Sequence, residues 1–325
     1  MQPNRPLDLV FMGTPEFAVP SLKRLLADGH EVAAVFTQPD KPAGRGHHLH
    51  APPVKQLALE HGIAVHQPAR IKTDEEVRAI FESIQPSACV VAAYGKILPE
   101  WLLQIPRLGC INVHASLLPR YRGAAPINWA IANGERETGV TIMQMDVGMD
   151  TGAMLAKRAI AIGDEETAPE LSARLAELGA ELLSDTLPKV ERGEIIAEAQ
   201  NNDEATYAPL LKREDGLLNW RWTAAEIADR VRGFQPWPGV YTALNSARLH
   251  LWRARAEDAA TTDEHEASAP GTILRIDRDG IAIRCASATA LRIEECQLEG
   301  KRRVAAREFA NGMRLKAGDR ISNAP

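Results

Sequence analysis

The chain lacks the features that mark membrane, secreted and metal-dependent proteins. None of its apolar runs reaches the length of about eighteen residues that a membrane-spanning helix needs. The N-terminus reaches its first predicted strand by about Leu7, which leaves no room for a signal segment and predicts a bacterial cytoplasmic protein. The four cysteines (Cys89, Cys110, Cys285 and Cys296) lack metal-ligand spacing. We therefore expect free thiols and no metal.

A dinucleotide-binding fingerprint is also missing. The first apolar run, residues 7–12, is followed by Gly13-Thr14-Pro15, without the second and third glycines of GxGxxG. A dinucleotide cofactor is therefore not expected, although Thr14 could cap the helix that follows and Pro15 suits its first position. Apolar runs at 7–12, 31–37, 63–66 and 88–94 alternate with helical patterns. This alternation predicts an α/β fold with a Rossmann-like, mostly parallel sheet.

The 325 residues are enough for two domains, and a composition of 45% hydrophobic and 25% charged residues is ordinary for a globular protein. We predict an α/β domain at 1–190, a linker at 191–209 where periodicity is lost, and a second domain at 210–325. Short β-like runs at 247–255, 272–276, 281–285 and 291–298 suggest a small barrel, with 258–270 as a mobile loop. From residue 210 onward, 19 Lys and Arg face 16 Asp and Glu, whereas the rest of the chain is acidic. This asymmetry weakly favours a polyanionic partner.

The stretch 109–123, GCINVHASLLPRYRG, contains the first candidate chemistry. It reads as a buried strand on which Asn112 and His114, two residues apart, project from the same face. This pairs an amide donor with an imidazole that can gain or lose a proton near neutral pH. The polar-to-apolar run from Ser116 to Pro119 could hold a flat aromatic ligand. A histidine at a strand end is, however, often only hydrogen-bonded structure.

A second polar group comes from the loop MDVGMDTG at 145–152, which follows another apolar strand at 139–145. Ligands bind at the carboxyl ends of strands in an open parallel sheet. If both strands belong to one sheet, the Asp146 and Asp150 carboxylates would therefore approach Asn112 and His114.

The stretch 38–50, QPDKPAGRGHHLH, is rich in proline and glycine, and we expect no regular structure there. Lys41, Arg45 and the three histidines supply hydrogen-bond donors. A mobile surface loop is one interpretation. A metal site built from the histidines is another, although no carboxylate or cysteine stands at a helpful spacing.

Several of these blocks resemble the folate-dependent formyltransferases. They are NVHASLLPRYRGAAPI with the DxGxDTG loop, GTPEF at 13–17, FTQPDKPAGRG at 36–46, AYGKILP at 93–99, ETGVTIMQMD at 137–146 and FQPWPG at 234–239. The resemblance extends over nearly the whole chain and is closest to the members that act on tRNA. It implies transfer of the formyl group of 10-formyltetrahydrofolate, as cosubstrate, to the α-amine of methionyl on initiator tRNA. It also implies that the second domain is an OB-like β-barrel that binds tRNA.

The resemblance assigns candidate residues to three roles. Catalysis is expected from Asn112, His114 and Asp150. Folate binding is expected from Ser116, Leu117, Leu118, Pro119, Ile97 and Leu98. Contacts to tRNA are expected from Lys41, Gly44 and Arg45, and we add Lys301, Arg302 and Arg303 as basic candidates in the second domain.

Other functions share parts of this pattern. Glycinamide ribonucleotide formyltransferases lack both the basic 36–46 segment and the C-terminal barrel, and sugar-nucleotide N-formyltransferases lack the basic segment. Hydrolases of formyl-folate use the same core. A tRNA-binding protein without catalysis would have no evident need for Asn112, His114 and Asp150 together. We expect a monomer, since no long apolar surface patch is evident in the linker or barrel.

Overall fold

The computed structural model describes residues 5–43, 48–244, 247–257 and 268–321. Within it the chain forms two compact units. The first comprises residues 1–126, 137–161 and 171–209, and the second comprises 127–136, 162–170 and 210–325. The boundaries 1–190, 191–209 and 210–325 remain a prediction.

The N-terminal part of the chain alternates strands and helices. Its strands are β1 (Asp8–Gly13), β2 (Glu31–Phe36), β3 (Lys41–Ala43), β4 (His48–His50), β5 (Ala64–His66), β6 (Ala88–Ala92), β7 (Cys110–His114), β8 (Arg122–Gly123), β9 (Glu137–Gln144), β10 (Met154–Ala161) and β11 (Tyr207–Ala208). Its helices are α1 (Val19–Ala27), α2 (Pro53–Glu60), α3 (Glu75–Ile84), α4 (Glu100–Gln104), α5 (Pro126–Ala132) and α6 (Ala168–Glu191), with 3-10 turns at Glu16–Ala18 and Asn202–Glu204.

Seven of these strands form the main sheet, in the order β10-β9-β7-β6-β1-β2-β5. The five strands from β7 to β5 are parallel, while β9 runs antiparallel to β7 and β10 runs antiparallel to β9. The predicted Rossmann-like, mostly parallel sheet is confirmed. The prediction that β7 and β9 end at the same edge of a parallel sheet was wrong, because the two strands are antiparallel and their carboxyl ends lie at opposite edges.

The core of the first unit follows from alternation along the strands. Met12 and Phe36 are fully buried on the face that packs against Phe81 of α3, with 5.1 Å between the two phenylalanine ring centroids. Cys110 belongs to the same core, so Asn112 and His114, two and four residues further along β7, continue this face toward the strand's carboxyl end.

Two local predictions differ from the structure. Residues 38–50 are not devoid of regular structure, because β3 and β4 pair in antiparallel register. The pairing accommodates Pro42, since a proline is tolerated where a short strand has a free edge. Thr14 does not cap α1, whose N-cap is Ala18. Its hydroxyl instead donates to the Tyr94 carbonyl oxygen at 3.3 Å and accepts from the main-chain N–H of Gln38 at 3.3 Å.

The C-terminal part of the chain is mainly antiparallel. After a 3-10 turn at Arg213–Gly216 come α7 (Ala224–Gly233), β12 (Val240–Leu244), β13 (Ala247–Glu257), β14 (Ile273–Asp277), β15 (Gly280–Arg284), β16 (Ala290–Leu298), β17 (Val304–Ala305) and α8 (Ala306–Met313). The strand order is β12-β13-β16-β15-β14, with β17 also paired to β16. The predicted C-terminal β domain is confirmed, and its four predicted strands match β13 to β16 closely. Most of the predicted loop at 258–270 lies outside the described residues, because 258–267 are not among them.

Candidate active site

His114 is the last residue of β7 and is 5% exposed. Its Nε2 lies 3.1 Å from the main-chain oxygen of Tyr121. A carbonyl oxygen only accepts, so Nε2 carries a hydrogen and donates it. On the other side of the ring, Nδ1 lies 3.6 Å from Oδ1 of Asp150. A doubly protonated ring would interact favourably with both neighbours, which suits a group that stabilises developing negative charge.

Asp150 is held in a conformation that aims its carboxylate at His114. Its φ is 54°, in the left-handed region that aspartate tolerates better than most residues. While Oδ1 faces the imidazole, Oδ2 accepts a hydrogen bond of 2.8 Å from the main-chain N–H of Gly123. The predicted meeting of His114 and Asp150 therefore occurs, although β9 runs opposite to the direction that suggested it. The other carboxylate of the loop, Asp146, instead caps the loop from within, accepting from Gly148 N and Thr151 Oγ1.

Asn112 lies on β7 two residues before His114 and is 9% exposed. Its side-chain amide makes no hydrogen bond with any residue in the described part of the chain. A nearly buried amide without a protein partner keeps two donors for a ligand. Asn112, His114 and Asp150 thus form one polar cluster at the end of β7.

A buried arginine is connected to this cluster by hydrogen bonds through Gln200. Although arginine is mostly found at the surface, the side chain of Arg122 is internal and only 2% exposed. It donates to Oε1 of Gln200 at 3.0 and 2.8 Å and to Oδ1 of Asn202 at 2.9 Å. Gln200 in turn donates to the main-chain oxygens of Asp150 and Gly152, both at 2.8 Å.

The predicted folate-binding residues differ in what they can offer. Ser116 is fully buried and donates to the Arg120 carbonyl oxygen at 2.6 Å, while Leu118 packs with Met143 and Met154. Leu117 and Pro119 are half-buried. Thr141 accepts from Leu118 N and donates to Ser116 O, so this segment's backbone is partly occupied.

The other two predicted folate-binding residues, Ile97 and Leu98, follow β6. Ile97 is 82% exposed, whereas Leu98 is 5% exposed and belongs to the core. Ile97 therefore presents apolar surface that a ligand could cover, whereas the Leu98 side chain packs inside the protein. Lys96 donates to the carbonyl oxygens of Pro68 and Ala69. Burial, together with the positive charge of Lys41, lowers the pKa of Lys96.

A polar network fixes the start of the 38–50 segment. Gln38 donates to the Tyr94 carbonyl oxygen at 3.0 Å, and Gln67 donates to the Gln38 carbonyl oxygen at 2.8 Å. Lys55 bonds to both carboxylate oxygens of Asp40 at 2.8 and 2.9 Å, and Gln67 donates to the same carboxylate. These hydrogen bonds hold the pKa of Asp40 below its ordinary value.

The predicted tRNA-contacting residues lie in both units. Lys41, the first residue of β3, is exposed, while Gly44 and Arg45 lie outside the described residues. Lys301, Arg302 and Arg303 are exposed in the segment between β16 and β17. Arg302 pairs with Glu308, and Arg303 pairs with Glu295 and lies over the Trp252 ring.

The described residues include no group of three or more His, Cys, Asp or Glu side chains that could hold a metal ion. No helix in this part of the chain has the length and apolar character needed to cross a membrane. All four cysteines are buried free thiols, as expected.

Comparison with known proteins defines the class first. A family model described as "Formyl transferase" matches residues 8–187, and one described as "Formyl transferase, C-terminal domain" matches 210–314. A methionyl-tRNA formyltransferase of Geobacter metallireducens is 51% identical over 317 residues, covering 98% of this chain and 99% of the relative. One of Caldanaerobacter subterraneus is 50% identical over 310 residues, covering 95% and 98%. This chain belongs to the methionyl-tRNA formyltransferase family.

Solved structures share the fold at much lower identity. An N-formyltransferase from Helicobacter canadensis, in complex with folinic acid and dTDP-3-aminofucose, has a TM-score of 0.63 at 17% identity and covers 88% of this chain and 98% of its own. HypX from Aquifex aeolicus, in complex with tetrahydrofolic acid, has a TM-score of 0.61 at 15% identity and covers 94% of this chain and 47% of its own. These similarities support the fold assignment alone.

Proposed function

We propose that this chain transfers the formyl group of 10-formyltetrahydrofolate to the α-amino group of methionyl-tRNA, with initiator tRNA as the substrate. The observation that carries the proposal is the cluster of Asn112, His114 and Asp150, in a chain about half identical to named methionyl-tRNA formyltransferases over nearly its full length. We expect it to act as a monomer in the cytoplasm, without a metal.

The reaction is an acyl transfer between two amines. The α-amine attacks the formyl carbon, a C–N bond forms, and negative charge develops on the formyl oxygen of a tetrahedral intermediate. The free amide donors of Asn112 can stabilise that charge, and His114 adds to this stabilisation when its ring carries both protons. The bond to the folate nitrogen then breaks, and the proton lost by the attacking amine is transferred to that nitrogen. Asp150 orients His114 and assists this proton transfer.

A covalent enzyme intermediate is not part of the proposal. The Ser116 hydroxyl donates to a main-chain carbonyl oxygen, and the Cys110 thiol lies 3.7 Å from the Leu102 carbonyl oxygen. Neither group has an imidazole or carboxylate hydrogen-bond partner among the described residues. An activated nucleophile needs such a base, so direct attack by the substrate amine fits these surroundings better.

The remaining candidate residues are divided between the two substrates, the folate and the tRNA. We propose that the folate contacts the turn at Ser116, Leu117, Leu118 and Pro119 and the exposed Ile97, and that Leu98 contributes from the core behind the pocket surface. Lys41, Gly44, Arg45, Lys301, Arg302 and Arg303 are proposed to contact tRNA phosphates or end bases, since cations supply most of the affinity for a phosphate backbone.

The test mixes the protein with 10-formyltetrahydrofolate and one of four acceptors: charged initiator Met-tRNA, uncharged tRNA, free methionine or a dTDP-amino sugar. Formyl-methionine forming only with charged tRNA supports the proposal. Transfer to the amino sugar alone would retain formyl transfer and replace the acceptor. Folate binding without transfer to any acceptor would contradict the catalytic assignment.

A further inference from the structure

Gln200 lies in the stretch 191–209, which sequence periodicity treats as a linker, yet its side chain reaches the active-site loop. Its Nε2 donates to the main-chain oxygens of Asp150 and Gly152, and its Oε1 accepts two hydrogen bonds from Arg122. These partners determine how the amide is turned. The reverse orientation would set N–H groups against the guanidinium and Oε1 against two carbonyl oxygens.

We propose that Gln200 is a positioning residue that fixes Asp150 in catalytic geometry, with Arg122 as its support. This inference rests on the proposed function. The two hydrogen bonds fix the backbone on both sides of residue 151, in a loop where Asp150 has a left-handed φ. With the backbone fixed, one carboxylate can contact Gly123 N and His114 Nδ1 together.

A purely structural role for Gln200 would be to anchor the segment that precedes β11. Three consecutive amides separate the two roles. Arg122 N donates to Thr206 O and Ala124 N donates to Ala208 O, so both report on the β8–β11 pairing. Gly123 N, between them, donates to the Asp150 carboxylate. If the segment before β11 came loose, hydrogen exchange would accelerate at all three amides. If only Asp150 were misplaced, exchange would accelerate only at the central amide.

The first experiment compares amide hydrogen exchange by NMR in the wild type and Gln200→Glu. Glutamate keeps the size of Gln200 and its contact with Arg122 but turns the donors into acceptors facing carbonyl oxygens. We expect exchange at residue 123 to accelerate about tenfold or more, with residues 122 and 124 within about twofold. Gln200→Met, which removes the donors without adding charge, should give the same pattern. Unchanged exchange at 123, or equal acceleration at all three amides in both variants, would overturn the proposal.

The second experiment measures formyl transfer with charged tRNA. Gln200→Glu should lower kcat about tenfold to a hundredfold, because a small misplacement of a catalytic group has an effect of that order. KM for both substrates should stay within about twofold. In an Asp150→Asn background the same change should have little further effect, since residues that act as one unit are not additive.

Asn201→Ala provides the matched control, because its amide caps the adjacent turn by accepting from Asp203 N. It should retain wild-type kcat. An additive double variant, or a Gln200→Glu enzyme with wild-type kcat, would overturn the proposal. The exchange experiment needs no turnover. If the protein failed to formylate Met-tRNA, the proposed function would be wrong, but amide exchange at residue 123 would still test whether Gln200 positions Asp150.

Discussion

Replacing Asn112 by alanine should separate catalysis from stability. The side chain is nearly buried, but its removal breaks no hydrogen bond with any described residue. The free energy of unfolding should therefore change by less than about 1 kcal/mol, since no buried partner is left unsatisfied. The same truncation removes an amide donor from the developing oxyanion. Loss of one such donor typically costs ~10²–10³ in kcat, or about 2.7–4 kcal/mol of transition-state stabilisation.

The assay is single-turnover formyl transfer to charged initiator tRNA at saturating 10-formyltetrahydrofolate, with thermal unfolding of the same preparations. Gln144→Ala is the control, because it also removes a side-chain amide from the β7–β9 pair, but the Gln144 side chain is exposed and donates to the main-chain oxygen of Leu108. It should retain wild-type turnover. An Asn112→Ala enzyme of native stability whose rate falls by less than about threefold would refute the oxyanion assignment.

Three further predictions concern other parts of the first unit. His114→Ala should also fold and lose turnover by about a hundredfold or more, and a near-wild-type rate in a purified, folded sample would remove its catalytic role. Arg45→Ala should weaken use of tRNA while leaving 10-formyltetrahydrofolate binding largely intact; equal losses in the two binding assays would count against that role. Asp40→Asn should reduce the loss in free energy of unfolding that the wild type shows as the pH falls into the acid range. The Lys55 ammonium holds the pKa of Asp40 below its ordinary value, so the stabilisation is present above that value and is lost as pH falls through the lowered one. Urea unfolding from neutral to acid pH checks this, and identical wild-type and variant curves would contradict it.

The sequence was sufficient to predict most elements of the fold because hydrophobic periodicity is a local signal. The apolar run at 31–37 is the strand Glu31–Phe36 in the structure, and the strand predicted to carry Asn112 and His114 is Cys110–His114. The direction of β9 could not be predicted in the same way. A buried strand has the same apolar pattern in either direction, and its partner is chosen by tertiary packing.

The groups that support the site were harder to predict than the catalytic candidates. Arginine is usually exposed, so residue type alone predicts a surface position for Arg122. Its burial depends on Gln200, a hydrogen-bond partner 78 positions away in a stretch without periodicity. The two arginines of the PRYRG segment, two residues apart, have the same side chain, and only long-range contacts distinguish the internal Arg122 from the exposed Arg120.

The contacts that hold His114 and Asp150 also determine how freely their neighbours can evolve. The imidazole rests on the main-chain oxygen of Tyr121, a group that every residue type supplies, so the contact itself is indifferent to the side chain at 121. The φ of 60° there still disfavours β-branched replacements. Position 123 is different, because a Cβ would come within 2.6 Å of the Ala208 carbonyl oxygen and push the N–H away from Asp150. Position 121 therefore serves the site through an oxygen atom that any residue supplies, whereas position 123 serves it through a backbone placement that any side chain would disturb.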